Sequence, residues 1–273
     1  MRRNHLLAGI MTAMAAVMPV VNVYVDTAAA SEILTSDEYM QNETNINKTT
    51  VLQNSVKMTD MLSAEAFGKN IMFSPTSLNF ALGMIAEGAK GETKEILDDY
   101  LGTNDFAAYA KEYLDKIKEY NTEDESYGYQ SKVKIADAIW LDNGLTLQEK
   151  FKNTVSDSFG AEVEAVDFSA AEKTCDVINS WCNKNTEGLI PKIITPDLIN
   201  DNTGLCLTNS LYFESGWSGE PWNVSDTEES FGKKEKTKYM TCTGDRYYEN
   251  DKATSFGRDY ANGLSFIGIF PND

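Results

Sequence analysis

With 273 residues, 42% of them hydrophobic, the chain is long enough to form one large domain or two small ones around a real core. Its formal net charge of −18 would make phosphate backbones and anionic membrane surfaces repel it, which excludes nucleic acid as a partner. The single histidine, His5, lies in a leader segment, so a Ser-His-Asp or Cys-His nucleophile, a His-ligated zinc and an imidazole pH switch are all excluded from the mature chain.

Residues 1–30 run from Arg2 and Arg3 through an apolar stretch, Leu6 to Val25, to Thr27-Ala28-Ala29-Ala30 ahead of Ser31. This is the order of an export signal: positive charge, an apolar helix, then small residues at the cleavage point. A retained anchor is disfavoured because the apolar core is short and Pro19 interrupts it. The expectation is a secreted, extracellular protein with no membrane association after cleavage. Residues 31–49 are polar and without apolar period, predicting a flexible tether, and order is expected to begin near Thr50.

From there, Leu52, Val56, Thr59 and Leu62 recur at helical spacing, and Asn70-Ile71-Met72-Phe73 reads as a short buried strand. Ser74-Pro75 supplies an N-cap hydroxyl and a proline at the first helical position, opening a core helix with a stripe at Leu78, Ala81, Leu82 and Ile85. A turn at Gly88-Ala89-Lys90-Gly91 ends it. Ile96, Leu97, Tyr100 and Leu101 predict a short helix, and Phe106, Tyr109, Ala110, Tyr113, Leu114 and Ile117 a longer one. Val133, Ile135, Asp137, Ile139 and Leu141 alternate as on a strand with one polar interruption. A helix through Phe151, Val155 and Phe159 follows, then a strand at 163–168 and a helix from Thr174 to Thr186 stopped by Gly188. Leu205, Leu207, Asn209, Leu211 and Phe213 alternate on a long strand, and short strands continue beyond Trp217. The last run, Leu264 to Phe270, is apolar at nearly every position and predicts a strand covered on both faces, with something further to follow it.

Chemistry is sparse. Gly88 to Thr93 lacks the spacing of a phosphate loop and follows a helix. Ser230 and Lys233 match Ser-x-x-Lys, but in a strand-and-turn context where a penicillin-recognising enzyme would open a helix. Asp98-Asp99 and Asp124-Glu125 read as solvated surface, so a carboxylate-dependent secreted hydrolase stands only as a remote alternative. Cys175, Cys182, Cys206 and Cys242 show no CxxC spacing, and seven helical residues place Cys175 roughly 10 Å from Cys182, beyond disulfide reach. Buried free thiols are favoured over a disulfide framework. No catalytic residue, metal site or cofactor is nominated.

The segment from Asn70 to Thr93, NIMFSPTSLNFALGMIAEGAKGET, resembles the serpin pattern that leads from a buried strand into the second helix. Phe168, Ile178-Asn179-Ser180-Trp181, Thr186-Glu187-Gly188-Leu189-Ile190 and Leu207 to Trp217 follow the same family in order and spacing, and the resemblance runs from about Thr50 to the end. It implies an α+β serpin-like fold, with N-terminal helices packed on a large central mixed sheet plus smaller sheets, incomplete at the C-terminus. The organisation expected is a signal peptide at 1–30, the tether at 31–49 and a partial serpin-like domain at 50–273.

The resemblance also implies roles. Ser74, Ser77 and Asn209 match the family's shutter, and Trp217 matches its breach tryptophan. Pro75, Gly88, Gly91, Thr93, Asn179, Thr186, Gly188 and Phe213 are structural positions of the family motif. The function implied is inhibition of an endopeptidase, serine-type before cysteine-type, by insertion of a cleaved reactive loop into the central sheet. That loop and its scissile bond are not in this chain, so the expectation is a bacterium-like secreted serpin, C-terminally truncated. The alternative is a non-inhibitory serpin-fold binding or vestigial protein.

Overall fold

A computed structural model of the chain describes residues 46–65, 71–121, 131–200, 202–219, 222–231, 235–242 and 246–272. The leader and nearly all of the predicted tether lie outside these residues, as do Asn70 and Lys233. Among the described residues, no helix is long and apolar enough to cross a membrane.

Helix α1 spans Lys48–Glu65. It begins two residues before the expected onset of order, because Asn47 Oδ1 accepts from Thr50 N at 3.1 Å and Ile46 is buried against the core. Helix α2, Pro75–Gly88, starts as the sequence predicts: Ser74 Oγ accepts from Ser77 N, and Pro75 occupies the first turn. Its buried face differs from the expected stripe. Phe80, Met84 and Ala86 are fully enclosed, whereas Ile85 is 42% exposed. The helix is apolar nearly all round, so its period alone does not select the face that neighbouring elements cover. Residues 71–73 form no strand and pair with no described strand; Ile71 and Met72 are 39% and 38% exposed, not buried as expected.

Helices α3 (Glu92–Leu101), α4 (Phe106–Glu119) and α5 (Glu149–Phe159) complete the N-terminal layer, and α6 (Ala171–Asn185) lies apart from it. Strands β1 (Lys132–Asp142), β2 (Glu162–Val166) and β3 (Leu205–Glu214) form a mixed sheet in the order β2-β1-β3. The β1–β2 pair is parallel, and β1–β3 is antiparallel with Asp137 opposite Asn209. Strand β1 is buried on both faces. Its odd positions Ile135 and Ile139 pack with Phe80, Phe106 and Phe159 under α2, α4 and α5, while Ala138 and Trp140 pack with Ile178, Trp181 and Cys182 beneath α6.

Beyond this sheet, β4 (Asn223–Phe231) and β5 (Glu235–Thr241) form an antiparallel ribbon. Strands β6 (Arg246–Glu249), β7 (Ala253–Asp259) and β8 (Ser265–Pro271) form an antiparallel sheet in that order. The expectation that β8 is covered on both faces fails: Phe270 is 58% exposed and Phe266 is also exposed. In the described chain β8 is an edge strand paired only with β7, and its rings meet only single neighbours, Trp217 and Phe256 for Phe266 and Phe256 for Phe270, with no described helix or sheet layered over them.

Candidate functional site

Helix α2, which carries Ser77 behind its Ser74 cap, packs on β3, which carries Asn209. Leu207 and Ile135 lie in the cluster beneath α2, and Leu211 and Val133 lie beside Tyr113 and Ile117 on the same side of the sheet. Strand alternation therefore turns Asn209 and Asp137 to that side too, between two apolar clusters. Ser77 is buried on α2, while Ser74 is spent as the helix cap.

Asn209 Nδ2 donates to Asp137 Oδ1 at 2.8 Å. Asn209 Oδ1, Asp137 Oδ2 and Ser77 Oγ are buried and have no hydrogen-bond partner. Burial pushes the Asp137 carboxyl up to about 7, and the Asn209 amide pulls it part of the way back. Ser74 and Ser77 thus lie at the start of α2 and Asn209 on β3, two elements that pack together, and Asp137, which the sequence reading did not single out, is the residue that bonds to Asn209. The sequence did carry a signal for it, a carboxylate at an inward position of an alternating strand.

The other nominated residues hold the scaffold. Asn179 clamps the segment after α6, its Oδ1 accepting from Ile193 N and Ile194 N and its Nδ2 donating to Ile194 O at 3.0 Å. Thr186 Oγ1 donates to Cys182 O and accepts from Ile190 N. Gly188 follows with φ +82°, a left-handed conformation that favours glycine, and its N–H donates to Asn183 O. Phe213 packs edge-on against Tyr260. Pro75 sits in the first turn of α2, and Gly88, Gly91 and Thr93 fall at the turn between α2 and α3, where Gly91 has φ +59°.

Trp217 stacks on Tyr260 with centroids 4.3 Å apart and borders Phe266. It also flanks the buried guanidinium of Arg258, which lies over Trp222 as well. Neither Arg258 nor Trp222 was nominated. Among the described residues, no group of three or more His, Cys, Asp or Glu side chains could hold a metal ion. The four cysteines are free thiols; Cys175 and Cys182 are buried, and burial raises both. Ser230 lies in β4.

These features define an α+β scaffold in which helices cover both faces of a mixed sheet and a small polar contact interrupts one of the packed layers. The sequence profile described as "Serpin (serine protease inhibitor)" matches residues 50–273. Serpin-ZXA of Oryza sativa subsp. japonica is 31% identical over 194 residues, 68% of this chain and 49% of that protein. Neuroserpin of Homo sapiens is 29% identical over 198 residues, 71% of this chain and 48% of its own length. Among solved structures, Arabidopsis AtSerpin1 in its native stressed conformation superposes with a TM-score of 0.68 at 24% identity, over 85% of this chain and 62% of that one. Tengpin, a thermophilic serpin in the latent state, gives 0.67 at 25% identity, over 85% and 63%. The chain belongs to the serpin family, a family of protease inhibitors and not of enzymes. It spans about half the length of the curated relatives it matches.

Proposed function

We propose that this chain supplies the sheet and its polar control point in an endopeptidase inhibitor that takes its own cleaved loop into the β2-β1-β3 sheet as an added strand. The observation that carries the reading is the Asn209–Asp137 pair, with Ser77 on the overlying helix. It is a polar interruption in a packed apolar layer, beside a β3 edge that no described strand occupies. An open edge of a long strand is the place where an extended segment can be added through backbone hydrogen bonds. Polar groups under it can exchange partners when α2 and the sheet move, which apolar packing cannot do.

In this reading Ser77 and Asn209 act as the shutter, with Ser74 fixing the start of α2, and Trp217 marks the point where the loop enters. The target is a serine-type protease before a cysteine-type one, and the protein is exported through the leader at 1–30. The test is incubation of the full secreted gene product with trypsin-, chymotrypsin-, elastase- and subtilisin-like proteases. A covalent complex that survives detergent denaturation is expected with at least one of them. Cleavage without any such complex across the panel overturns the inhibitor reading and leaves a non-inhibitory scaffold.

A further inference from the structure

Two atoms of the control point share a peculiarity. Asp137 and Asn209 already form one hydrogen bond, and the atom left without a partner on each of them is an acceptor: Asp137 Oδ2 and Asn209 Oδ1. With Asp137 ionised, the pair has two hydrogens on Asn209 Nδ2, of which one is used, and no donor for either orphan oxygen. A proton on Asp137 Oδ2 changes this. The carboxylic O–H can donate to Asn209 Oδ1 while Asp137 Oδ1 goes on accepting from Nδ2, closing a two-bond acid–amide ring that satisfies both orphans.

We propose that Asp137 is a positioning residue for Asn209, holding it as a neutral acid through this two-bond ring, and that loss of the proton opens the Oδ2–H···Oδ1 half of the ring, sets two buried acceptor oxygens against each other and loosens the β1–β3 pair beneath α2. The proposal rests on the reading of Asn209 as a control point of the sheet. It adds to that reading a residue and a proton dependence.

The surroundings leave burial as the dominant influence. Helix α2 presents Ser77 and Phe80; its one titratable group, Glu87, lies at its far end near Lys94, Asp98 and Asp105. Helix α4 presents the phenols of Tyr109 and Tyr113, both raised by burial and therefore neutral. Its charged groups, Lys111, Glu112, Asp115, Lys116, Lys118 and Glu119, contribute nothing to the Asp137 shift, whose only causes are burial and Asn209. Helix α5 adds Val155 and Phe159, and β2 adds Val163. Helix α6, with Cys175 and Cys182, covers the opposite face. No described ion pair involves Asp137.

The sign follows from linkage. The folded chain keeps this proton to about pH 7, whereas the unfolded chain loses it in the ordinary carboxylate range. The native state therefore binds more protons between those limits, and the stability contributed by the neutral pair, full at acid pH, is lost as pH rises toward 7. The test uses the full chain and its D137N variant, whose amide can form the same two-bond ring at every pH. In urea titrations the wild type loses about tenfold in its folded-to-unfolded ratio per pH unit between roughly pH 5 and 6.5, relative to D137N. Equal pH slopes in the two proteins overturn the proposal.

Should D137N fail to fold, carbon-13 aspartate labelling of the wild type decides the matter without it. One carboxyl titrating near pH 7 is expected, and aspartate-selective labelling separates it from Glu87, also raised by burial. Absence of any aspartate titrating above the ordinary range overturns the proposal. Neither readout involves a protease, so a failed inhibition assay and a failed titration are separate results.

Discussion

The β2-β1-β3 sheet is packed on both faces, whereas β6-β7-β8 leaves a row of aromatic rings in the open. In the first, Trp140 is enclosed between β3 and α6, with its Nε1–H donating to Thr208 Oγ1 and its ring edge-on to Trp181. In the second, Phe256 contacts Phe266 and Phe270 across the strand pair, yet Phe270 remains mostly exposed. The residue types are much the same. Aromatic rings become core only when a second layer arrives to cover them, and here α6 does so for Trp140 while no described element does so for Phe270. The polar contact at Asp137 and Asn209 lies in the covered sheet, where an unmade hydrogen bond is costly and protonation therefore matters.

The sharpest way to break this contrast is Trp140→Ala, which removes a fully enclosed ring together with its hydrogen bond to Thr208. A loss of about 3–5 kcal/mol is expected from the cavity and transfer costs, read as a fall in the urea midpoint at unchanged slope. A loss under about 1 kcal/mol would mean that α6 collapses onto the sheet and that the layer is not rigidly packed.

Gly83→Ala on α2 comes next. A Cβ there would overlap the Phe106 ring, which is itself buried and packed against Phe80 and Phe159. Alanine gains about 1 kcal/mol of helix propensity over glycine. Overpacking a closed core costs about 1–3 kcal/mol, so a net destabilisation of about 1 kcal/mol is expected, and thermal denaturation checks its sign. Stabilisation by this substitution would show that α2 can shift away from α4 at little cost.

The helices and long strands were legible in the sequence because each repeats its own period. Ser74-Pro75 fixes where α2 starts, and the alternation from Leu205 to Phe213 is realised in β3. What was not legible depends on partners distant in the chain. Phe80 and Met84 are buried and Ile85 is not, because α4 and α5 choose which side of an almost uniformly apolar helix to cover. Asp137 looked like a lone polar interruption. Its meaning comes from the β1–β3 register, which sets it opposite Asn209, 72 residues away. The apolar run of β8 predicted burial on both faces, but composition states only what a strand tolerates, not whether a neighbour is present to cover it. Ser74, Ser77, Asn209 and Trp217 are singled out only by the family pattern, whereas Arg258, held over two tryptophans, has no local signal at all.

The smallest effect is expected on the open sheet and sharpens the comparison from its other side. Phe270→Ser removes a ring that is 58% exposed and stacks on the half-buried Phe256. Surface substitutions of this kind typically change stability by no more than about 0.5 kcal/mol, so the urea midpoint should barely move. Solubility should respond instead. Phe270 lies on an edge strand with no described neighbour on its outer side, and an apolar edge is a template for pairing with a second chain. Light scattering at rising protein concentration should show less self-association for Phe270→Ser than for the parent chain. A large loss of stability with no change in scattering would show that the ring is covered in solution, and that the two sheets are built alike after all.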